Sequence, residues 1–263
     1  MTAATMRLLS KKAHIRHIQR QLLRVVSSLI LAVGLLVFTN LELTIFAVLL
    51  LAASKWQVLL GGPRLWLYNL RDNGVDITFI ASILTLLIIY SGSLTIQIAL
   101  IGLYLGWQLA IKPLSGVSGH AAQSLMALAL ASIAVFLLKE ILFGVIGMMI
   151  VMWVVAAITA DHYLVSLSDN VSLRKLLVAA WSLIVVQIVW LLGRWQVFYL
   201  FLEGNILIPQ ATLVLVVMGY MFGAIYHDHH QKQLTKKRLY MYLALITLVT
   251  VVLILASEWV SQL

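Results

Sequence analysis

The chain has 263 residues, of which 63% are hydrophobic and 10% charged, with a net charge of +9, a mean hydropathy of +1.05 and no cysteine. A soluble domain runs near 45–50% apolar and about 25% charged, so this much apolar surface requires the bilayer as solvent. The missing cysteines exclude disulfides, thiolate-held metals, iron–sulfur clusters and a cysteine nucleophile.

The first 21 residues form a basic arm. Lys12, Arg16, Arg20 and Arg24 recur at i, i+4, while Leu8, Ile15, Ile18 and Leu22 fall on another side. That pattern predicts an amphipathic helix lying on an anionic inner leaflet, with Lys11, Lys12, Arg16 and Arg20 at the headgroups and each cation near the surface worth about 1 kcal/mol. A nucleic-acid or partner-docking arm is the sharper alternative, but no nucleic acid is expected.

Residues 22–263 read as one membrane domain of all-α class, because three prolines and few polar stretches leave no linker for another. Nine apolar runs follow in order, at 22–39, 43–60, 75–90, 94–111, 121–138, 141–160, 176–192, 206–226 and 239–256. Lys139 and Glu140 must mark a turn, helped by Gly144, since residues 121–160 as one helix would reach about 60 Å, twice the hydrocarbon thickness. The first run lacks a small-residue cleavage site at Phe38-Thr39-Asn40-Leu41 and reads as an uncleaved anchor.

Charge sorts along this division. With the N-terminus inside and nine spans, sixteen of the eighteen Lys and Arg face the cytoplasm and only Lys139 and Arg194 lie outside. The inner side then carries +11 and the outer side −2, the asymmetry of a bacterial plasma-membrane protein with its N-terminus in and its C-terminus out. Trp56, Trp66, Trp107 and Trp181 fall near the inner interface and Trp195 and Trp259 near the outer one, whereas Trp153 and Trp190 lie deeper and read as helix-packing residues.

Two connections are long enough to have structure. Residues 61–74 suit an interfacial helix, with Pro63 in its first turn, Trp66, Leu67 and Leu70 on one face, and Asn73-Gly74 at its end. Residues 193–210 contain an apolar piece, Trp195 to Leu202, too short to span. This predicts an interfacial or re-entrant segment or an extension of a tilted seventh helix, with Pro209 opening the next helix.

The spans lack a charged residue at mid-bilayer depth, which disfavours ion coupling, pumping and a retinal Schiff base. Neither a GxxxxGK phosphate loop nor an HExxH metal motif occurs. Gln97 and Gln187 are the large buried polar candidates, either as interhelical glue or as a shared ligand site.

Residues 115–128, "SGVSGHAAQSLMAL", resemble the serine loop of rhomboid proteases through Gly116, Ser118 and Gly119. That family opens its serine helix on the outer side and sets its histidine among small residues. The charge pattern here puts Ser118 inside, and His162 in "TADHYLVSL" lacks the glycines.

All seven histidines map to the inner side, and three fall in "HDHH" at 227–230. His227 and His230 at i, i+3 could share a metal, with His162, Asp161 or His120 supplying ligands from other segments. Membrane desaturases also gather cytoplasmic-side histidines around two irons, but through more HxxxH and HxxHH boxes than this chain offers. The plain reading is a helix end whose dipole favours His and Lys, beside headgroup ligands Lys236, Lys237 and Arg238.

The run "IKPLSG" after the fourth span and "IPQATLVLVVMGYMFGAIYHDHH" across the eighth resemble polytopic membrane proteins of small-genome bacteria, which implies a fold type and no particular activity. Two functions stay open. One is a non-enzymatic permease-like or assembly component that needs no cofactor and binds a neutral or lipidic ligand between helices. The other is a lipid-active enzyme using His120, Asp161, His162, His227 and His230, with or without a metal. Protein partners and self-association are undetermined. Convergence of those side chains within about 8 Å around a cavity separates the two.

Overall fold

The structure, a computed structural model, describes residues 25–54, 69, 71–139, 141, 144–167, 170–194, 197–201 and 206–255. The basic arm with Lys11, Lys12, Arg16 and Arg20, most of the 61–74 segment, and Trp56, Trp66, Trp195 and Trp259 lie outside these residues.

Each apolar run carries a helix. In chain order the helices are α1 (Val25–Asn40), α2 (Thr44–Ser54), α3 (Gly74–Ile89), α4 (Leu94–Gly106), α5 (Gly116–Leu137), α6 (Gly144–Val165), α7 (Val171–Leu192), α8 (Gln210–His230) and α9 (Lys236–Leu255). Five are long and apolar enough to cross a membrane: α5, α6, α7, α8, and α4 together with its π-helical continuation Trp107–Ile111. Nonpolar side chains cover their outward faces, including Ile146, Ile150, Leu176 and Leu183, as a lipid-facing surface requires.

The connections are short and internally bonded. The turn expected at Lys139 is present between Leu137 and Gly144, closed by the Gly144 amide on the Lys139 carbonyl at 3.0 Å. Asn170 caps α7 by accepting from the amides of Ser172 and Leu173, both at 3.1 Å, which satisfies two of the donors a helix start leaves open.

Helix α5 is the central post. One of its faces joins α1, α2, α3 and α4 in a core built on Leu35, Phe79, Ile83, Leu87 and Trp107. The other joins α6, α7 and α8 in a second core of Met148, Met152, Val185, Val189 and Leu215. Ser132 of α5 donates to Thr212 of α8 at 2.9 Å inside the second core. Unpaired, either hydroxyl would cost 1 kcal/mol or more there, so the pair fixes where these two helices meet.

Three expectations change. Residues 198–201 and 206–209 are not a helical extension: Phe198–Phe201 (β1) and Ile206–Pro209 (β2) pair antiparallel, and α8 starts only at Gln210. The hairpin closes backbone donors that a short apolar loop would leave open. Trp107 does not sit on the protein surface but is 1% exposed, stacked on Phe79 at 3.9 Å, with its Nε1–H given to Asp76 Oδ1 at 2.9 Å. Conversely, Trp153 and Trp190 are exposed rather than packed between helices, and Arg194 lies 4.8 Å over the Trp190 ring.

Asp76 is the buried acid of the first core. Lys112 reaches it at 2.6 Å, completing its pairing with Trp107. The π-helical turn inserts between these two partners, and such a turn re-aims the side chains behind it.

Candidate functional site

Two cavities flank α5 and α6 at the end where α5 begins and α6 and α8 finish. This is also the end that gathers Arg71, Lys112, Arg174 and Arg238.

The smaller cavity, about 350 Å³, is lined by Arg71, Asp72, His120, Asp161, His162, Val165 and Arg174. Arg71 grips Asp161 with two prongs, Nε to Oδ2 at 2.5 Å and Nη2 to Oδ1 at 2.7 Å. Arg174 adds a third contact, Nε to Oδ1 at 3.2 Å. The carboxylate between two guanidinium groups holds three segments together, namely the lead into α3, the end of α6 and the start of α7.

The two histidines meet beside this ion cluster, with ring centroids 4.7 Å apart. Their neighbours fix which nitrogens carry protons. Gln123 Nε2 donates to the carbonyls of Ile111, Lys112 and Leu114 at 3.0, 3.2 and 3.1 Å, so its Oε1 is the face offered to His162. His162 Nε2–H therefore donates to Gln123 Oε1 at 2.8 Å. His120 Nδ1 lies 2.8 Å from the Gly116 carbonyl, which can only accept, so that nitrogen is also a donor. In the neutral rings the lone pairs are left on His120 Nε2 and His162 Nδ1. The arrangement can bind a polar group that donates to these lone pairs.

The sequence placed His120, Asp161 and His162 as conditional partners, and the fold brings these three together. Arg71, Arg174 and Gln123 were read only as topology charges or not at all, yet they hold the cluster. A signal existed for Gln123, one helical turn beyond His120 on the same side. For Arg71, 90 residues from Asp161, there was none.

The "SGVSG" run has a structural use. Gly116 opens α5 with φ +80°, and a Cβ on Gly119 would sit 2.8 Å from the Leu114 backbone. These glycines let the α4–α5 linker fold tightly back on α5, under the amide of Gln123. Ser118 lines the other cavity while His162 bonds to Gln123, so no serine–histidine hydrogen bond forms.

The larger cavity is an open crevice of about 870 Å³ between α5, α6, α7 and α8. Its walls are Leu125, Leu128, Leu177, Trp181, Ile184 and Phe222 among other apolar groups, with Ser118, Ser124, Thr159, Tyr163, His227 and His229 among the polar ones. It occupies only the part of the α5–α8 seam on the basic side of the Ser132–Thr212 bond. Two buried polar atoms on its lining, Ser124 Oγ and His227 Nδ1, lack a hydrogen-bond partner.

The "HDHH" run is divided among different tasks. His227 faces the crevice. Asp228 is structural: its Oδ2 accepts from Arg238 at 3.2 Å and Tyr242 at 3.0 Å, and its carbonyl receives the amides of Gln233 and Leu234. His230 is exposed and stacks on Tyr226 at 6.4 Å. Neither His227 nor His230 lines the cavity of His120 and His162, and among the described residues no three His, Asp or Glu side chains gather to hold a metal ion. Lys236 and Lys237 are exposed at the start of α9, beside Arg238.

Gln97 and Gln187 are not brought to either cavity. Gln97 is fully buried in α4 and accepts from Asn40 of α1 at 2.9 Å, with its own Nε2 unpartnered. Gln187 is on the exposed face of α7. No family model, curated protein or solved structure matches the chain.

Proposed function

We propose that the protein is a nine-span component of a bacterial plasma membrane, with its N-terminus cytoplasmic and its C-terminus outside. Its role is non-enzymatic, permease-like or in membrane assembly, and it holds a lipidic ligand between its helices. The observation that carries this reading is the crevice, a largely apolar space within the 300–1,000 Å³ range of ligand sites, set between four helices long and apolar enough to cross a membrane. The gathering of Arg71, Lys112, Arg174 and Arg238 at one end supports the orientation.

Two experiments test it. Mass spectrometry of the detergent-washed protein is expected to find about one retained lipid per chain, reduced several-fold in Ala121→Trp and Ala180→Trp, which fill the crevice. A protein that comes off clean, or variants that retain as much, would remove the reading. Because the native chain has no cysteine, Lys139→Cys and Lys237→Cys report topology directly. An impermeant thiol reagent should label the first from outside and the second only after the membrane is opened.

One observation favours a second reading, a lipid-active enzyme: the close approach of His120 and His162, with rings tilted 36° to each other, beside the doubly held Asp161. On that reading His120→Asn and His162→Asn each abolish turnover of a membrane lipid while leaving crevice occupancy unchanged.

A further inference from the structure

We infer that the crevice is a seat for one glycerophospholipid of the leaflet on the basic side, with its ester region met by Ser124 and its phosphate end by His227. The inference rests on the lipidic reading of the crevice and adds the chemical class of the occupant.

The apolar part sets the length. Along α5 the lining runs from Val117 to Leu128, and along α8 from His229 back to Gly219, each about 15 Å of helix rise, or half the hydrocarbon core. The seam is closed beyond that depth by the Ser132–Thr212 hydrogen bond. A chain from one leaflet fits this span, whereas a transmembrane helix of a partner needs the full thickness.

The polar part sets the class. Hydroxyls inside helices commonly turn back onto a carbonyl three or four residues earlier, and those of Thr39, Ser82, Thr159, Ser182 and Thr247 do so, between 2.7 and 2.9 Å. Ser124 does not, although it is 7% exposed and lines the crevice. A buried hydroxyl without a partner is costly, so an acceptor belongs there. His227 Nδ1 is the second such atom on the same lining.

Their spacing follows from Gly219. A Cβ there would lie 3.3 Å from Leu125 and 3.6 Å from Leu128, so Gly219 is level with the turn just beyond Ser124. His227 is eight residues further along α8, which sets it about 8 Å from Ser124 along the bundle, toward the basic end. A polar region of that length, with an apolar chain continuing inward, is what runs from phosphate through glycerol to an ester carbonyl. A quinone or a plain hydrocarbon has no such sequence of acceptors.

The test uses three photoactivatable probes with the protein reconstituted in lipid nanodiscs: phosphatidylglycerol with a diazirine in one acyl chain, its diether analogue, and a diazirine alkane. The diester probe is expected to label crevice residues such as Leu125 and Ile184. Ser124→Ala should cut that labelling about tenfold, the worth of one hydrogen bond away from water, and leave the diether unchanged, while Ser124→Thr retains it. His227→Phe should weaken both phospholipid probes and spare the alkane. If all three probes label the crevice equally in every variant, the headgroup assignment is overturned while an apolar ligand still stands. If none labels it, the lipidic reading falls as well.

Discussion

The two cavities share α5 and α6 as walls and differ in how their polar groups are satisfied. In the small one, Asp161 is neutralised by Arg71 and Arg174, Gln123 spends its amide on three carbonyls, and each histidine has a fixed N–H partner. In the large one, Ser124 and His227 each present a buried atom that nothing in the fold meets. The cluster around Asp161 ties three segments together through ion pairs and hydrogen bonds, with Arg174 Nε as its one buried atom that has an ion-pair contact but no hydrogen bond. In the crevice two polar atoms are left over on a largely apolar surface, and the proposed lipid ligand rests on that difference.

Substitutions should separate the two sides of this contrast in order of size. The largest loss is expected from Asp161→Ala, which removes the carboxylate that Arg71 and Arg174 share. Breaking a buried pair costs about 3–5 kcal/mol, and the partial exposure of Arg71 brings the expectation to about 3 kcal/mol in thermal unfolding in detergent. Gln123→Leu comes next, at about 2 kcal/mol, since it takes a side-chain donor from three linker carbonyls and the acceptor from His162. Asp228→Asn should cost about 1 kcal/mol, because Arg238 and Tyr242 are partly exposed and lose only a charge-assisted bond. Ser124→Ala should change stability by less than about 0.5 kcal/mol in the lipid-free protein, having no bond to lose. A Ser124 variant that destabilises as much as the Gln123 variant would erase the distinction between the cavities.

The helices were legible in the sequence because an apolar run of membrane length leaves one way to satisfy its backbone. Which side of a helix turns inward was not. Trp107 and Trp153 are both tryptophans in apolar runs, yet one stacks on Phe79 in the core and the other is exposed. The difference lies with Asp76, 31 residues away, which supplies the acceptor that a buried indole needs. The hairpin was hidden for another reason. Residues 198–209 are apolar on both strands, so no alternation marks them, and their pairing becomes visible only with the register of Phe198 against Pro209. At the candidate site, proximity of His120, Asp161 and His162 was readable as a shared side of the membrane. The arginine clamp depends on contacts across distant segments.

The hairpin also bears on how the crevice moves. It joins the ends of α7 and α8 farthest from the crevice, and its surroundings pin it: the Leu207 amide donates to Tyr90 OH at 3.2 Å, and Tyr199 OH and Gln210 Nε2 both donate to the Leu253 carbonyl of α9, at 2.5 and 2.9 Å. Two rods clasped at one end separate only at the other. Any breathing of α7 against α8 is therefore smallest at the hairpin and largest at the end that holds the crevice.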